Sequence, residues 1–172
     1  MLKGKQVNLR TLEISDTAQI LSWENNTNHW RVSGTKVPYS KKIIEAYINS
    51  AQDLYTHQQI GLLIETPETN EAVGTIDVFE FDPLHQRAGI GVLIDEKYRQ
   101  NGFAKAALAM VERYLLEAIG VRNIFCNILA DNLASIALFE QAGFEKIGLK
   151  KDWFNDKGRW IDELMYQKLL VA

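Results

Sequence analysis

The segment from Arg99 to Lys105 has the composition of a phosphate-binding loop. It follows an apolar stretch that ends near Ile94 and precedes the longest amphipathic stretch of the chain. The first backbone N–H groups of a helix have no acceptors within the helix, and together with the helix dipole they favour an anion such as a pyrophosphate. Gly102 would let the backbone approach the phosphates, while Arg99 and Lys105 would add positive charge. The same residues are also compatible with a plain glycine turn before a helix.

This loop differs from the common nucleotide-binding motifs. It lacks the Gly-Lys-Ser/Thr of a Walker A loop, and Gly89 and Gly91 lie inside a predicted strand without the third glycine of a dinucleotide fingerprint. Glycines within a strand indicate a bulge or a close backbone approach. A second segment, from Asn132 to Phe144, predicts a short helix that is capped by Asn132 and ended by Gly143.

Three side chains near this part of the chain could act as a general base, namely Asp77, Glu80 and His85. Strand alternation predicts that Asp77 and Glu80, three residues apart, face opposite sides. Glu80 is also compatible with a solvated strand end, and His85 fits a surface turn better than a catalytic role. Cys126 lies in an apolar run and is expected in the core.

The elements that must position these groups follow from periodicity and turn signals. Strands are predicted at residues 7–12, 60–65, 72–81, 87–94, 122–128, 145–151 and 161–169. Helices are predicted from a cap at Ser15 to about Trp23, from a cap at Ser40 to Ala51, over 102–119 and over 132–142, with an irregular loop after Asn25. The order β-α-α-β-β-β-α-β-α-β-β predicts an α/β fold with a mixed, mostly antiparallel sheet. A central, right-handed parallel β-α-β crossover and flanking helices complete it.

The overall composition limits the possible functions. The 172 residues predict a single domain over residues 1–172, and the net charge of -3 argues against a surface that coats nucleic acid. No apolar run reaches the roughly 18 residues of a membrane helix, and no secretory signal is visible. The single cysteine excludes an intrachain disulfide and a multi-cysteine zinc site. We therefore expect a cytoplasmic protein with no metal, no membrane partner and no nucleic-acid partner.

In their order and spacing, the two segments resemble the GNAT superfamily of N-acetyltransferases. Within it, the chain resembles the branch of ribosomal-protein N-terminal acetyltransferases and bacterial spermidine acetyltransferases. The resemblance extends from about Lys5 to Leu170 and includes residues 7–10, residues 86–91 and the aromatic hairpin 153–159. It implies acetyl-CoA as co-substrate, no required metal, and a sheet in which two neighbouring parallel strands splay apart.

The resemblance also implies which residues hold the cofactor. The pantetheine would pair with the strand edge from Val92 to Ile94, the pyrophosphate would sit on the loop, and the α-helical segment after Asn132 would form the far wall. The expected contacts are Val92, Leu93, Ile94, Arg99, Gln100, Asn101, Gly102, Phe103, Ala104, Lys105, Asn132, Ser135 and Phe139.

Two departures from the family pattern affect the catalytic residues. Phe139 stands where many members carry a tyrosine that acts as general acid, and Gly89 stands where many members of this branch carry a glutamate. Water or the hydroxyl of Ser135 would then have to protonate the leaving thiolate. Glu80 is similar in position to a site glutamate of spermidine acetyltransferases and is the favoured base, with Asp77 and His85 next.

The expected reaction is direct attack of a neutral primary amine on the thioester in a ternary complex. Trp30, Glu80 and Trp153 are predicted to line the acceptor pocket. The acceptor is a polyamine, another small amine or a protein N-terminus, although residues 28–33 lack the acidic pair of spermidine acetyltransferases. The alternative is an acyl-CoA-binding sensor or interaction domain without efficient catalysis. A homodimer is expected from the family and from the four tryptophans.

Overall fold

The computed structural model describes residues 1–33, 35–50 and 53–171. One sheet contains the strands β1 (Leu2–Lys3), β2 (Asn8–Thr11), β3 (Ile60–Glu65), β4 (Ala72–Asp82), β5 (Arg87–Ile94), β6 (Asn123–Leu129), β7 (Glu145–Asp156) and β8 (Arg159–Leu169). The helices are α1 (Thr17–Glu24), α2 (Thr27–Ser33), α3 (Lys41–Ser50), α4 (Leu54–His57), α5 (Phe103–Tyr114) and α6 (Leu133–Gln141).

The strand order is β1-β2-β3-β4-β5-β6-β8-β7. Every neighbouring pair is antiparallel except β5 and β6, which are parallel and are connected through α5. The predicted mixed sheet with one central parallel crossover is therefore confirmed. The parallel pair lies in the middle of the sheet, where helices can reach it from both faces.

Two apolar clusters hold the helices on opposite faces of the sheet. The larger cluster packs α5 residues such as Leu108 and Val111 against strand residues such as Ile76 and Ile124. The smaller cluster places α1 and α3 over Leu63 on the other face. Within the described ranges, no helix has the length and apolar character that crossing a bilayer requires.

The helix boundaries differ from the prediction where the helices are short. A 3₁₀ turn at Ile14–Asp16 precedes α1, so Ser15 lies inside that turn and does not cap α1 as predicted. Helices α2 and α4 span seven and four residues, which is too short to produce a visible apolar period. The predicted end of α3 at Ala51 lies outside the described residues. Helix α5 continues as a π-helical turn to Ile119 before Gly120, at a φ of 81°, ends it.

A half-buried ion network joins β2, β3 and the start of α1. Arg10 Nε donates to Glu65 Oε2 at 2.9 Å, and the other two guanidinium nitrogens donate to the Asp16 carboxylate at 2.7 and 2.9 Å. The Glu65 side chain is only 3% exposed. Burial alone would raise the pKa of Asp16, but hydrogen bonds from Arg10 and from the Glu13 backbone lower it overall. The network fixes the beginning of α1 and, through it, the segment that reaches the site.

We expect Arg10→Met to destabilise the fold, because it leaves two carboxylates without their cation in a largely buried position. The free energy of unfolding in urea should fall by about 2–4 kcal/mol at pH 7. Since the pKa of Asp16 is depressed in the folded state, the stability from this pair is present above about pH 4 and is lost as acid protonates Asp16. The variant should therefore lose less stability between pH 5 and pH 3 than the wild type. The exposed Arg113→Met is the matched control, and an equal loss there would contradict a specific network.

Candidate active site

The two central parallel strands separate after a short paired region. Residues 87–89 of β5 pair with residues 123–125 of β6. Beyond that point β5 stays bonded to β4 as far as Ile94, and β6 stays bonded to β8 as far as Leu129. Within the described residues, the facing edges of 90–94 and 126–129 therefore have no strand partner, and we call this opening the fork.

The predicted cofactor strand lies on one edge of the fork. Val92 and Ile94 pack against the larger apolar cluster, and Leu93 packs against the smaller one. The side chains are thus anchored on both faces while the backbone edge towards β6 is unpaired. An extended chain that carries amides can add to such an edge in the same way as a further strand.

The predicted phosphate loop lies at the mouth of the fork, at the start of α5. Gly102 precedes the helix at a φ of 77°, and Gln100 is also left-handed at 65°. Gln6 Nε2 donates to the Asn101 carbonyl at 2.7 Å and fixes the loop from the N-terminal segment. Because Gly102 has no side chain to cap the helix, the first N–H groups of α5 are suited to an anion. Arg99 and the remaining loop residues 100–102 are exposed.

The second predicted segment forms the other side of the mouth. Asn132 Oδ1 accepts the backbone N–H of Ser135 at 3.2 Å, which confirms the predicted cap of α6. Ser135 is half-buried in the first turn of that helix. Phe139 is 4% exposed and packs edge to face on Phe144, with 4.9 Å between the ring centroids. The structure therefore places the ring of Phe139 in the larger core cluster beneath the site.

Helix α2 contacts the two segments that directly follow the arms of the fork. On the β5 side, the Asn28 amide donates to Glu96 Oε1 at 3.2 Å. On the β6 side, Arg31 forms ion pairs with Asp131, which follows β6, and with Asp156 of the β7–β8 hairpin, the latter at 3.4 Å. The segment that the sequence predicted as an irregular loop is thus a short helix held by polar contacts at both ends.

Of the two predicted acceptor tryptophans, one lies on α2 and the other on β7. Trp30 of α2 is half-buried and donates to the Glu24 carbonyl at 2.7 Å. Trp153 of β7 is 60% exposed, with the Lys150 ammonium 4.9 Å from its ring centroid. The Arg31–Asp156 contact joins α2 to the β7–β8 hairpin, while the groove that Glu80 lines includes neither tryptophan, so the shared acceptor pocket stays a prediction.

Asp77 is the most perturbed carboxyl group close to the fork. It lies on β4 directly opposite Gly91 of β5, and its Oδ1 is 3.5 Å from the Tyr47 hydroxyl of α3. Burial and the neighbouring Glu24 carboxylate raise the pKa of Asp77 to about 7, against the opposing effect of the Tyr47 hydrogen bond. Gly61 makes the room for this pair, since a Cβ there would lie 2.8 Å from the Tyr47 oxygen and 2.9 Å from Asp77 Oδ1.

Glu80 lies at an irregularity that the sequence did not reveal. The register of β4 and β5 shifts between Phe79 and Asp82, and Glu80 adopts a φ of 47°. This bulge breaks the alternation, so Glu80 is exposed on the wall of a groove of about 690 Å³ together with Phe125. The expectation that Asp77 and Glu80 face opposite sides is therefore wrong, because the extra residue changes the parity of the strand.

The remaining base candidate, His85, lies on the surface, and Cys126 lies in the core as predicted. His85 is exposed in the turn after β4, where its backbone N–H donates to Asp82 Oδ1 at 3.0 Å. Cys126 is 2% exposed, and burial raises the pKa of its thiol to about 12. The sequence missed Tyr47 as a site residue, although a hydroxyl on the apolar face of the predicted α3 was a usable signal.

Comparison with known proteins places the chain in a family. A family model described as an acetyltransferase (GNAT) domain matches residues 6–145. The chain is 31% identical over 172 residues to an uncharacterized N-acetyltransferase, p20, of Bacillus licheniformis, covering 98% of this chain and 95% of that protein. It is 23% identical over 150 residues to spermidine N(1)-acetyltransferase of Escherichia coli, covering 86% and 77%. Spermidine N-acetyltransferase from Vibrio cholerae in complex with CoA and spermine matches with a TM-score of 0.87 at 22% identity, covering 97% of each chain.

The fold and the fork define an acyltransferase that depends on acetyl-CoA. The chain belongs to the GNAT family of acetyltransferases, since the family model covers most of its length. The resemblance drawn from the segments at 99–105 and 132–144 is confirmed.

We expect Gly102→Val to weaken CoA binding on the order of 100-fold, because a branched side chain at a left-handed position next to the α5 N-terminus blocks the phosphates and strains the loop. Calorimetry with CoA measures the effect. Gly120→Val is the matched control, because Gly120 has a φ of 81°, lies at the other end of the same helical segment and has open space around it. Unchanged CoA affinity in a folded Gly102→Val protein would place the pyrophosphate elsewhere.

Proposed function

We propose that this protein transfers the acetyl group of acetyl-CoA to a primary amine by direct attack in a ternary complex. The observation that carries the proposal is the fork, with a helix N-terminus at its mouth and the Asp77 carboxyl on the strand beside it. The donor would enter from the mouth, and the acceptor from the face that carries Asp77.

On the donor side, each group of residues has a distinct task. The edge from Val92 to Ile94 would pair with the pantetheine amides, and one of its N–H groups would polarise the thioester carbonyl as negative charge develops on the oxygen. The loop from Arg99 to Lys105 would hold the pyrophosphate. Asn132 and Ser135 would bound the cofactor on the α6 side.

On the acceptor side, the amine must lose a proton before it can attack. An alkylammonium has a pKa of about 10.4, so roughly one amine in a thousand is neutral at pH 7. Asp77 suits the role of base, because a carboxyl group with a pKa of about 7 is about half ionised at neutral pH and still holds a proton well. Tyr47 would orient it. The role of Glu80 as the base, which the sequence favoured, stays a prediction, and Glu80 is the residue against which Asp77 should be tested.

The leaving thiolate needs little assistance. Phe139 has no hydroxyl group and is buried in the core, so it offers no proton. A thiol pKa of roughly 8.5 allows the thiolate to depart without full protonation, and Ser135 or water would supply the proton afterwards. The acceptor classes that fit this scheme are a polyamine, another small primary amine or a protein N-terminus.

The direct test is release of free thiol from acetyl-CoA in the presence of amines. We expect release that depends on the amine, with mass spectrometry identifying the N-acetylated product. The panel should hold polyamines, alkyl monoamines and peptides with a free N-terminus. Tight CoA binding with no thiol release for any amine would favour the sensor interpretation instead.

The pH profile identifies the base. If the ionised Asp77 takes the proton from a bound ammonium, wild-type kcat/KM for the amine should rise with pH through about 7 and then level off. Asp77→Asn should instead depend on neutral amine from solution, so its kcat/KM should rise about tenfold per pH unit towards pH 10. The loss should be about 10²–10⁴-fold at pH 7 and should shrink as the pH increases.

Glu80→Gln is the matched control for this experiment. It replaces a carboxylate by an amide three residues from Asp77 on the same strand. Its kcat/KM should keep the plateau above pH 7. A rising profile in Glu80→Gln together with a plateau in Asp77→Asn would assign the base to Glu80.

A further inference from the structure

A buried histidine joins α2 to the end of α1. His29 is 2% exposed, although α2 has only seven residues. Its Nδ1 lies 3.2 Å from the Trp23 carbonyl oxygen. A carbonyl oxygen can only accept a hydrogen bond, so Nδ1 is the ring nitrogen that carries the hydrogen. In the neutral imidazole, Nε2 is therefore a hydrogen-bond acceptor.

This second ring nitrogen faces a carboxylate instead of a donor. Nε2 of His29 is buried and has no hydrogen-bond partner among the described residues, and Glu96 Oε1 lies 3.7 Å from it. Two acceptor atoms cannot bond to each other, so the neutral ring leaves a buried nitrogen unpaired, which is unfavourable. A proton on Nε2 removes the mismatch, because the imidazolium can donate to Glu96.

Most charges around His29 are negative. The acidic groups that face the ring are Glu24 of α1 and Asp95 and Glu96 of the turn after β5. Burial raises the pKa of Asp95, but hydrogen bonds from an indole and from a backbone N–H lower it overall, so this carboxylate stays ionised at neutral pH. The nearby cations Arg31 and Lys97 pair with other carboxylates. The acidic groups therefore offset the cost of burying an imidazolium at His29.

From this arrangement we infer that His29 is a positioning residue, and that its protonation attaches α2 to the turn that follows β5. With a neutral ring, α2 reaches Glu96 through the Asn28 amide, which donates at 3.2 Å. With a protonated ring, His29 adds a charge-assisted hydrogen bond to the same carboxylate. Histidine is the side chain that ordinarily changes charge between pH 5 and 8, so the attachment of α2 depends on pH within that range.

Hydrogen exchange of the α2 amides measures this attachment directly. After correction for the intrinsic chemical rate, residues 29–33 of the wild type should be about tenfold more protected at pH 5.5 than at pH 8, which corresponds to one hydrogen bond to a charged group. The amides of α5 serve as the internal reference, because a change in global stability would alter the protection of both helices.

Two substitutions of Glu96, which is 46% exposed, separate the proton from the contact. Glu96→Gln keeps an oxygen for the Asn28 amide and offers an N–H to the neutral His29, so protection of α2 should be high and equal at both pH values. Glu96→Ala removes both contacts, and protection should be low at both pH values. Glu68→Gln, at an exposed position in the β3–β4 turn, is the matched control and should keep the pH dependence of the wild type.

The catalytic consequence rests on the proposed function, in which the amine binds beside α2. Trp30 follows His29 in the chain, and its indole N–H donates to the Glu24 carbonyl at 2.7 Å. Attachment of α2 therefore orders one wall of the acceptor site. In thiol-release assays at pH 8, Glu96→Gln should lower the amine KM about two- to threefold relative to the wild type with kcat unchanged, whereas at pH 5.5 the two proteins should agree.

The outcomes separate the two proposals. Equal protection of α2 at both pH values in the wild type, or a pH dependence that persists in Glu96→Gln, would overturn the inference about His29. The expected exchange pattern without thiol release for any amine would overturn the proposed function and leave the inference about His29 intact.

Discussion

The site depends on the loss of hydrogen bonding between two central strands. Unpaired backbone in the middle of a sheet is costly unless each strand keeps another partner. Here β5 keeps its ladder with β4 and β6 keeps its ladder with β8, so each arm of the fork is stable by itself. Residues of α5 and α6 pack beneath both arms in the larger cluster. The free edges are thereby held open for a ligand that carries its own amides.

The chemistry above the fork follows from an alternation of functional side chains and glycines across the sheet. One row runs Gly61, Asp77, Gly91, and the next row on β4 and β5 places Phe79 opposite Gly89. Gly61 leaves the space that the Tyr47 and Asp77 oxygens occupy, and Gly89 leaves the space that the Phe79 ring occupies. The same absence of side chains that admits the Tyr47 hydroxyl to Asp77 also lets a phenyl ring lie on the backbone. The Asp77 carboxyl and the Phe79 ring therefore lie two residues apart on β4 without a steric conflict.

The sequence predicted most of the fold, including the strand, loop and helix that carry the proposed donor site, and much less of the geometry around Asp77 and Glu80. Periodicity is strong in long elements such as α5, and the predicted phosphate loop is local in sequence, so both could be recognised from the chain alone. The bulge at Glu80 could not, because one inserted residue in a strand leaves the apolar pattern almost unchanged. The raised pKa of Asp77 could not be predicted either, because it depends on burial in the folded chain and on Glu24 and Tyr47, which lie far away along the sequence. Helix α2 is too short for its period to be detected.

The attachment of α2 to both arms of the fork has a thermodynamic consequence. Asn28 holds the β5 side through Glu96, and Arg31 holds the β6 side through Asp131. We therefore expect a molecule that changes the separation of the arms to change the polar contacts of α2 as well, on the side where the acceptor is proposed to bind. Linkage of this kind is reciprocal, so two ligands coupled through α2 would change each other's affinity by the same factor.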